Sequence, residues 1–230
     1  MLSSDLPERL AERLVEPLSE GAARERENRV RAARERENRV RAARERMAPE
    51  LAYGRHNGPP RYDARAAAVL ALLYPDAGQW YLPLTLRPDA LPAHAGQISL
   101  PGGVIESGES IEQAALRELE EELGVPAADV RILGRLSPLY VFASNFSVTP
   151  IVGATKTRPE FTPHAAEVAE LVALPLACLV NESSYGTHLI RRRGLAFTAP
   201  HITCGHHQIW GATSIILAEL AGEVKTTMRG

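Results

Sequence analysis

The chain has 230 residues, 45% of them hydrophobic, and a formal net charge of −2. That length suits one domain with additions, the apolar fraction can fill a full core, and the charge balance speaks against nucleic-acid binding by bulk electrostatics. There is no apolar run of about 18 residues, so no membrane-spanning helix is expected. Residues 1–20 are acidic and lack the apolar stretch of a secretion signal. Cys178 and Cys204 show no metal or redox spacing and are expected to be reduced thiols in the core of a cytoplasmic protein.

In chain order, residues 1–21 come first. Leu6, Leu10, Leu14 and Leu18 recur at i+4 steps, with Pro7 in a first turn and Pro17 near the end, which predicts a short amphipathic helix packed on the domain. Residues 22–48 form an Arg/Glu-rich extension. AARERENRVR occupies 22–31 and again 32–41, and AARER returns at 42–46, so residues 22–46 hold ten Arg and five Glu. Helix propensity is high, but a ten-residue period turns the pattern by about −80° per repeat, so no straight apolar stripe forms. A solvated helical extension is predicted, dispensable for catalysis, with a basic arm touching RNA or an acidic partner as the alternative.

The domain spans 49–230, and its regular structure begins near Tyr62. Strands are predicted at Ala66–Tyr74 and Trp80–Leu86, joined by a turn at Pro75-Asp76-Ala77-Gly78. Others are predicted near Ile98–Leu100, Val130–Leu136 and Ser147–Val152. Residues 163–173 read as a turn or helix, and 208–220 as a closing helix after the loop Gly205-His206-His207. Strands mixed with helices predict an α/β class.

The chemistry concentrates in 84–125. Residues 103–125 read GVIESGESIEQAALRELEEELGV. Ser110 and Gln113 form a capping box, so a helix should start near Ile111; Gly124 suits a left-handed C′ position and Pro126 stops extension. Leu116, Leu119 and Leu123 share a packing face with Ala115, while Glu118, Glu121 and Glu122, at i, i+3, i+4, crowd a second arc about 100° wide. Like charges so placed repel, and a divalent cation reverses the sign of that interaction; oxygen-only donors suit a hard ion, Mg²⁺ or Mn²⁺. Such an ion clamps a diphosphate and lowers the pKa of a bound water. The loop from Pro101-Gly102-Gly103 through Ser107-Gly108 lets backbone amides approach phosphate oxygens.

Gly103, Glu109, Arg117, Glu118, Leu119, Glu121, Glu122, Gly124 and Val125 fit the pattern G-x5-E-x7-R-E-U-x-E-E-x-G-U at every fixed position, where U is a bulky aliphatic residue. The chain thereby resembles the Nudix hydrolases. That resemblance implies an α/β/α sandwich with a mixed sheet, here with an N-terminal helical extension. It implies catalytic roles for Glu118, Glu121 and Glu122 as metal ligands, and a Glu109–Arg117 pair that holds the loop against the helix. Upstream, LTLRPDALPAHAGQISLPGG at 84–103 resembles the signature of the coenzyme A pyrophosphatase branch, through Leu84, Thr85, Arg87, Leu91, His94, Gly96, Gln97, Ser99, Leu100, Pro101, Gly102 and Gly103. It departs at Leu86, where a basic residue is common, and at Leu100, where Phe is frequent. Softer similarity at 139–153, 167–176 and 209–217 extends the likeness to about 62–220.

The branch implies hydrolysis of the diphosphate of coenzyme A or its thioesters to 3′,5′-adenosine bisphosphate and 4′-phosphopantetheine or its acyl derivative. Arg87 would contact a phosphate. His94 and Gln97 would hold a phosphate or ribose, or brace the loop, and Gly102 and Gly103 would approach the diphosphate. The competing readings are a Nudix hydrolase of nucleotide sugars or nucleoside triphosphates, and a non-catalytic nucleotide-binding module. The expected partner is a small molecule, with no membrane or nucleic acid and a homodimer as an open option. Glu160, Glu167 and Glu170 are candidates for the catalytic base by position, with structural ion pairing as the alternative.

Overall fold

A computed structural model describes residues 3–14, 23–52, 58–89, 96–192 and 194–229, with the backbone alone for 23–30 and 192. Leu91 and His94 lie outside the described residues, as do Pro17 and Leu18.

Helices α1 (Leu6–Leu14) and α2 (Ala23–Met47) precede β1 (Arg65–Asp76) and β2 (Gln79–Leu86), a hairpin whose turn places Ala77 and Gly78 at positive φ. Short strands β3 (Ile98–Ser99) and β4 (Gly102–Val104) lead into α3 (Ile111–Leu123). Then come β5 (Arg131–Arg135), β6 (Leu139–Val141), β7 (Phe146–Ala154), β8 (Glu170–Pro175) and α4 (Leu176–Val180). Strands β9 (Tyr185–Arg192), β10 (Leu195–Cys204) and β11 (His207–Trp210) precede the final helix α5 (Ala212–Arg229).

The large sheet has eight strands. Its path runs β3-β2-β1-β7-β5, with β4 on β1, β6 on β7 and β8 on β2. The β1–β7 pair is parallel and the others are antiparallel, so the sheet is mixed. Strand β1 sits at its centre and is apolar on both faces, as a strand covered on two sides must be. Ala68, Leu70 and Leu72 face α3 with Ala114, Ala115, Leu119 and Leu123. Ala67, Ala71 and Leu73 face the opposite core, which α5 fills with Ile216, Leu217, Leu220 and Val224. Period-two alternation thus sends one strand's side chains into both layers of an α/β/α sandwich. Strands β9, β10 and β11 form a separate antiparallel sheet of three.

Three expectations change. Residues 170–175 form a strand paired with β2 from Tyr81↔Pro175 to Leu86↔Glu170, with Val172 and Leu174 buried on one face, because β2 offers an open edge that outweighs local helix propensity. Residues 207–210 form β11, and Gly211, at φ 71, separates it from a helix that starts only at Ala212. The Arg-rich helix is not simply solvated. Arg36, Arg39, Val40, Ala43, Arg44 and Met47 recur at helical spacing on the covered side, with Val40 and Met47 buried.

The stripe that docks α2 is cationic rather than apolar. Arg39 bonds Glu223 of α5 at 3.4 Å, and Arg13 of α1 bonds the same carboxylate at 3.0 Å. Arg36 and Arg44 donate to the carbonyls of Arg135 and Pro138 at 3.0 and 2.6 Å. Helix α1 contributes Leu6, Leu10 and Leu14 to the core as predicted, each worth about 1.5–3 kcal/mol of transfer free energy. Cys204 is buried, Cys178 is half-buried, and both are free thiols.

Candidate active site

Helix α3 carries the acids, and its ends are fixed by the sequence. The Ser110 side chain accepts from the Gln113 N–H, the Gln113 side chain accepts from the Ser110 N–H, and Gly124 closes the helix at φ 70 with its N–H on the Glu120 carbonyl. Ala114, Ala115, Leu119 and Leu123 pack against β1. Leu116 is only partly buried, and lines an open groove of about 680 Å³ with Gln113, Glu120 and Ala127.

The three helix acids do not share one environment. Glu121 is exposed and bonds Arg117 at 3.0 Å. Glu118 is largely covered. Glu122 is 4% exposed, a burial that its helical spacing does not announce. Its position follows from the loop that faces it. Gly102 sits at φ 153, where a Cβ would lie 2.3 Å from the Ala68 carbonyl oxygen. A Cβ on Gly103 would lie 2.3 Å from a Glu118 carboxylate oxygen. The two glycines let the loop close over the helix and leave room for the carboxylate.

Burial raises the proton affinity of both inner acids. Glu122 is pushed up to about 8, first by desolvation and then by the charges of Glu118 and Glu167, against smaller opposing effects of the Gly102 N–H and of Arg87. Glu118 is raised by desolvation, partly offset by its hydrogen bond to Arg117. The Oε2 atom of Glu122 is buried with no hydrogen-bond partner. A buried carboxylate oxygen without a partner, beside a second acid, is strongly disfavoured unless a cation arrives. The all-oxygen pair Glu118 and Glu122 therefore fits a hard divalent ion.

Arg117 braces the loop. It bonds Glu109 at 2.7 and 3.2 Å, Glu118 at 2.9 Å and the Val104 carbonyl at 3.0 Å. Glu109 also accepts the Glu106 N–H at 2.9 Å, and these contacts hold its carboxyl below the usual range, led by the Arg117 hydrogen bond. One guanidinium thus ties β4, the loop and the acid helix together.

Arg87 follows β2 directly. Its backbone N–H donates to the Gln97 carbonyl at 3.0 Å, and its own carbonyl accepts the Gly96 N–H at 3.1 Å. This clasp ties Arg87 to residues 96–97, and the guanidinium lies near enough to Glu122 to act on its ionisation. The Arg87 Nε is buried without a protein partner.

Among the sequence candidates for a base, Glu167 is the one whose charge acts on both Glu118 and Glu122. It arrives on the segment predicted as a turn or helix. The Thr162 N–H bonds the Leu123 carbonyl at 2.8 Å and the His164 N–H bonds the Glu122 carbonyl at 2.9 Å, so the segment is stitched to the end of α3. His164 Nδ1 then lies 3.6 Å from the Glu167 carboxylate. Glu160 is exposed, and Glu170 bonds His207 at 2.9 Å. No local signal in Thr162-Pro163-His164 announces this clamp, because its partners are helix carbonyls.

The NUDIX domain family matches residues 64–182, which include Arg87, the acids of α3, Arg117 and Glu167. The chain belongs to the NUDIX family. It is 39% identical over 143 residues to an uncharacterized Nudix hydrolase NudL of Photorhabdus laumondii, covering 62% of this chain and 76% of that one. A NudL of Yersinia pestis is 39% identical over 142 residues, covering 61% and 71%. Among solved structures, a MutT/nudix family protein from Enterococcus faecalis aligns with TM-score 0.48 at 18% identity, covering 76% of this chain and 68% of that one. A Nudix hydrolase of M. smegmatis, RenU, aligns at 0.44 with 24% identity, covering 57% and 79%. This NUDIX chain is a hydrolase acting on pyrophosphate bonds of small molecules, a chemistry for which the family uses divalent metal ions. Among its described residues no helix is long and apolar enough to cross a membrane.

Proposed function

We propose that this NUDIX hydrolase splits the diphosphate of coenzyme A or its thioesters, with Mg²⁺ or Mn²⁺ held by Glu118 and Glu122 and supported by Glu121. The observation that carries the reading is the position of Arg87. A half-buried guanidinium whose Nε has no hydrogen-bond partner acts on the ionisation of Glu122, near the start of the segment that resembles the coenzyme A pyrophosphatase signature. A cation fixed there by the β2–β3 clasp is suited to a phosphate flanking the scissile diphosphate.

The chain's own groups divide the work. The backbone of Gly102 and Gly103 admits the diphosphate close to α3. Arg117 and Glu109 keep the loop and Glu118 in register. Glu167 accepts the proton of the attacking water, whose oxygen bonds to one phosphorus while the bridging oxygen leaves with the other phosphate. A divalent ion held by Glu118 and Glu122 would neutralise charge on the diphosphate and lower the pKa of the attacking water.

A substrate panel tests the reading: coenzyme A, an acyl-coenzyme A, ADP-ribose and deoxynucleoside triphosphates, each with Mg²⁺ and with Mn²⁺. The highest kcat/KM is expected for coenzyme A or its thioester. Faster turnover of ADP-ribose or a triphosphate would overturn the substrate assignment and leave the metal site standing.

A further inference from the structure

A second cluster of metal-ligating side chains lies away from the helix acids. Glu170 opens β8 opposite Leu86. His206 sits in the tight turn between β10 and β11, after Gly205 at φ 57, and His207 opens β11. One donor atom from each of Glu170, His206 and His207 lies within 4.8 Å of the other two. His207 Nε2 and a Glu170 carboxylate oxygen are 2.9 Å apart, and the two imidazole rings are 3.9 Å apart between centroids, tilted by 38°.

These separations suit coordination. Donors at about 2.0–2.2 Å from a common ion stand about 2.9–3.5 Å from one another in octahedral or tetrahedral geometry. The His207–Glu170 distance already falls at that edge, so His206 needs only a side-chain adjustment to join them. The burial is graded in the way a bound ion requires: His207 is largely covered at 12% side-chain exposure, while Glu170 is open at 44%. The inner imidazole is positioned, and the outer donors leave a path for entry.

The donor set also discriminates between ions. Two imidazoles and one carboxylate suit borderline ions such as Zn²⁺, Co²⁺ or Ni²⁺, whereas Mg²⁺ prefers oxygen alone. The all-oxygen pair Glu118 and Glu122 makes the opposite choice. A single His–Glu contact would be an ordinary surface hydrogen bond. The adjacent second imidazole, tilted by 38° over the first and within reach of the same carboxylate, is what that simpler reading leaves without a purpose.

We propose that Glu170, His206 and His207 form a second metal site that takes a borderline transition-metal dication and joins the three-stranded sheet to β8 of the main sheet. Glu170 pairs with Leu86, the residue before Arg87, and the Ala169 N–H bonds the Leu86 carbonyl at 2.8 Å. Occupancy therefore fixes the β10–β11 turn against the strand end from which the arginine projects. Three protein donors leave further positions for water or an anionic group.

The test uses the full chain, free of any affinity tag, titrated with Zn²⁺ by calorimetry in excess Mg²⁺. Co²⁺ absorption provides an independent readout of nitrogen coordination. Wild type is expected to bind a single equivalent of Zn²⁺ that is lost in His206→Ala, in His207→Ala and in Glu170→Gln, together with the Co²⁺ visible band. Glu118→Gln/Glu122→Gln is expected to keep both signals, which separates this site from the hydrolytic one. His206 is exposed, so its variant should fold normally, and circular dichroism checks this. Undiminished Zn²⁺ binding in His206→Ala/His207→Ala, or no Zn²⁺ binding by wild type in Mg²⁺, would overturn the proposal.

Discussion

Replacing Glu122 by Gln should make the metal-free protein more stable at pH 8 while destroying its activity. In the folded chain the Glu122 carboxyl is pushed from the ordinary 4.5 up to about 8. Its folded pKa therefore exceeds its unfolded one. The sign follows: the associated stability is present in full below about pH 4.5, and declines as pH climbs towards 8. At about 1.4 kcal/mol per pH unit of difference, the metal-free wild type should lose about 3–4 kcal/mol from this group between pH 5 and pH 8. Glutamine removes the charge and relieves Glu118 of a like neighbour, but leaves a buried amide that costs about 1–3 kcal/mol. The net gain at pH 8 is then up to about 3 kcal/mol, or a Tm rise of up to about 12 °C for a chain of this size. At pH 5 the gain should vanish or reverse. The assay is thermal unfolding of both proteins with a chelator at the two pH values, repeated with Mg²⁺, where wild type should overtake the variant. A variant less stable than wild type at pH 8 without metal, or a difference that ignores pH, would refute the reasoning.

Gly103→Ala should reduce turnover and metal affinity together, since its Cβ would fall 2.3 Å from the Glu118 carboxylate and push it out of place; kinetics across a metal titration check this. Arg87→Ala should lower kcat/KM for coenzyme A by about ten- to a hundredfold, the worth of a charged phosphate contact. The same variant should narrow the gap to 3′-dephospho-coenzyme A, which parallel kinetics would show. A chain starting at residue 48 should be less stable by about 5 kcal/mol or more, through loss of Leu6, Leu10, Leu14 and Met47 from the core. Urea unfolding measures this, and steady-state kinetics of the same chain test whether the arm is dispensable for catalysis, with unchanged constants expected.

The acid helix was legible almost to the residue. Ser110, Gln113 and Gly124 act through neighbours three or four positions away, and such contacts are written in the local sequence. The centre of the sheet was legible too, because β1 is apolar on both faces whatever its partners. What escaped depends on distant chain. Strand β8 exists because β2 has an edge to offer, and its own residues also suit a helix. The hairpin of β9 and β10 has no strong turn dipeptide beyond Gly194 and was not anticipated. The burial of Glu122 escaped as well, since helical spacing fixes an angle on the helix and says nothing of the loop that will cover it.

Among the described residues, two acid pairs at i, i+4 show what spacing alone leaves open. Glu118 and Glu122 are separated by four residues on α3, and Glu219 and Glu223 by four on α5. Glu122, Glu219 and Glu223 are all classed with the buried core. The pairs differ in what meets them. Glu223 is bonded through one oxygen by Arg13 and through the other by Arg39. Glu219 accepts the Ser137 N–H at 2.8 Å and feels the charges of Arg44 and Arg36, although burial still raises its proton affinity. The repeat arm thus supplies counter-charge to α5, and those acids are spent on holding the fold together. On α3, Arg117 satisfies Glu118 in part, while the inner oxygen of Glu122 has no partner at all. The fold neutralises one acid pair with arginines and leaves the other short of positive charge, which is what the proposed cation site requires. In that proposal the unpartnered oxygen, more than the i, i+4 spacing, marks the pair that takes the metal.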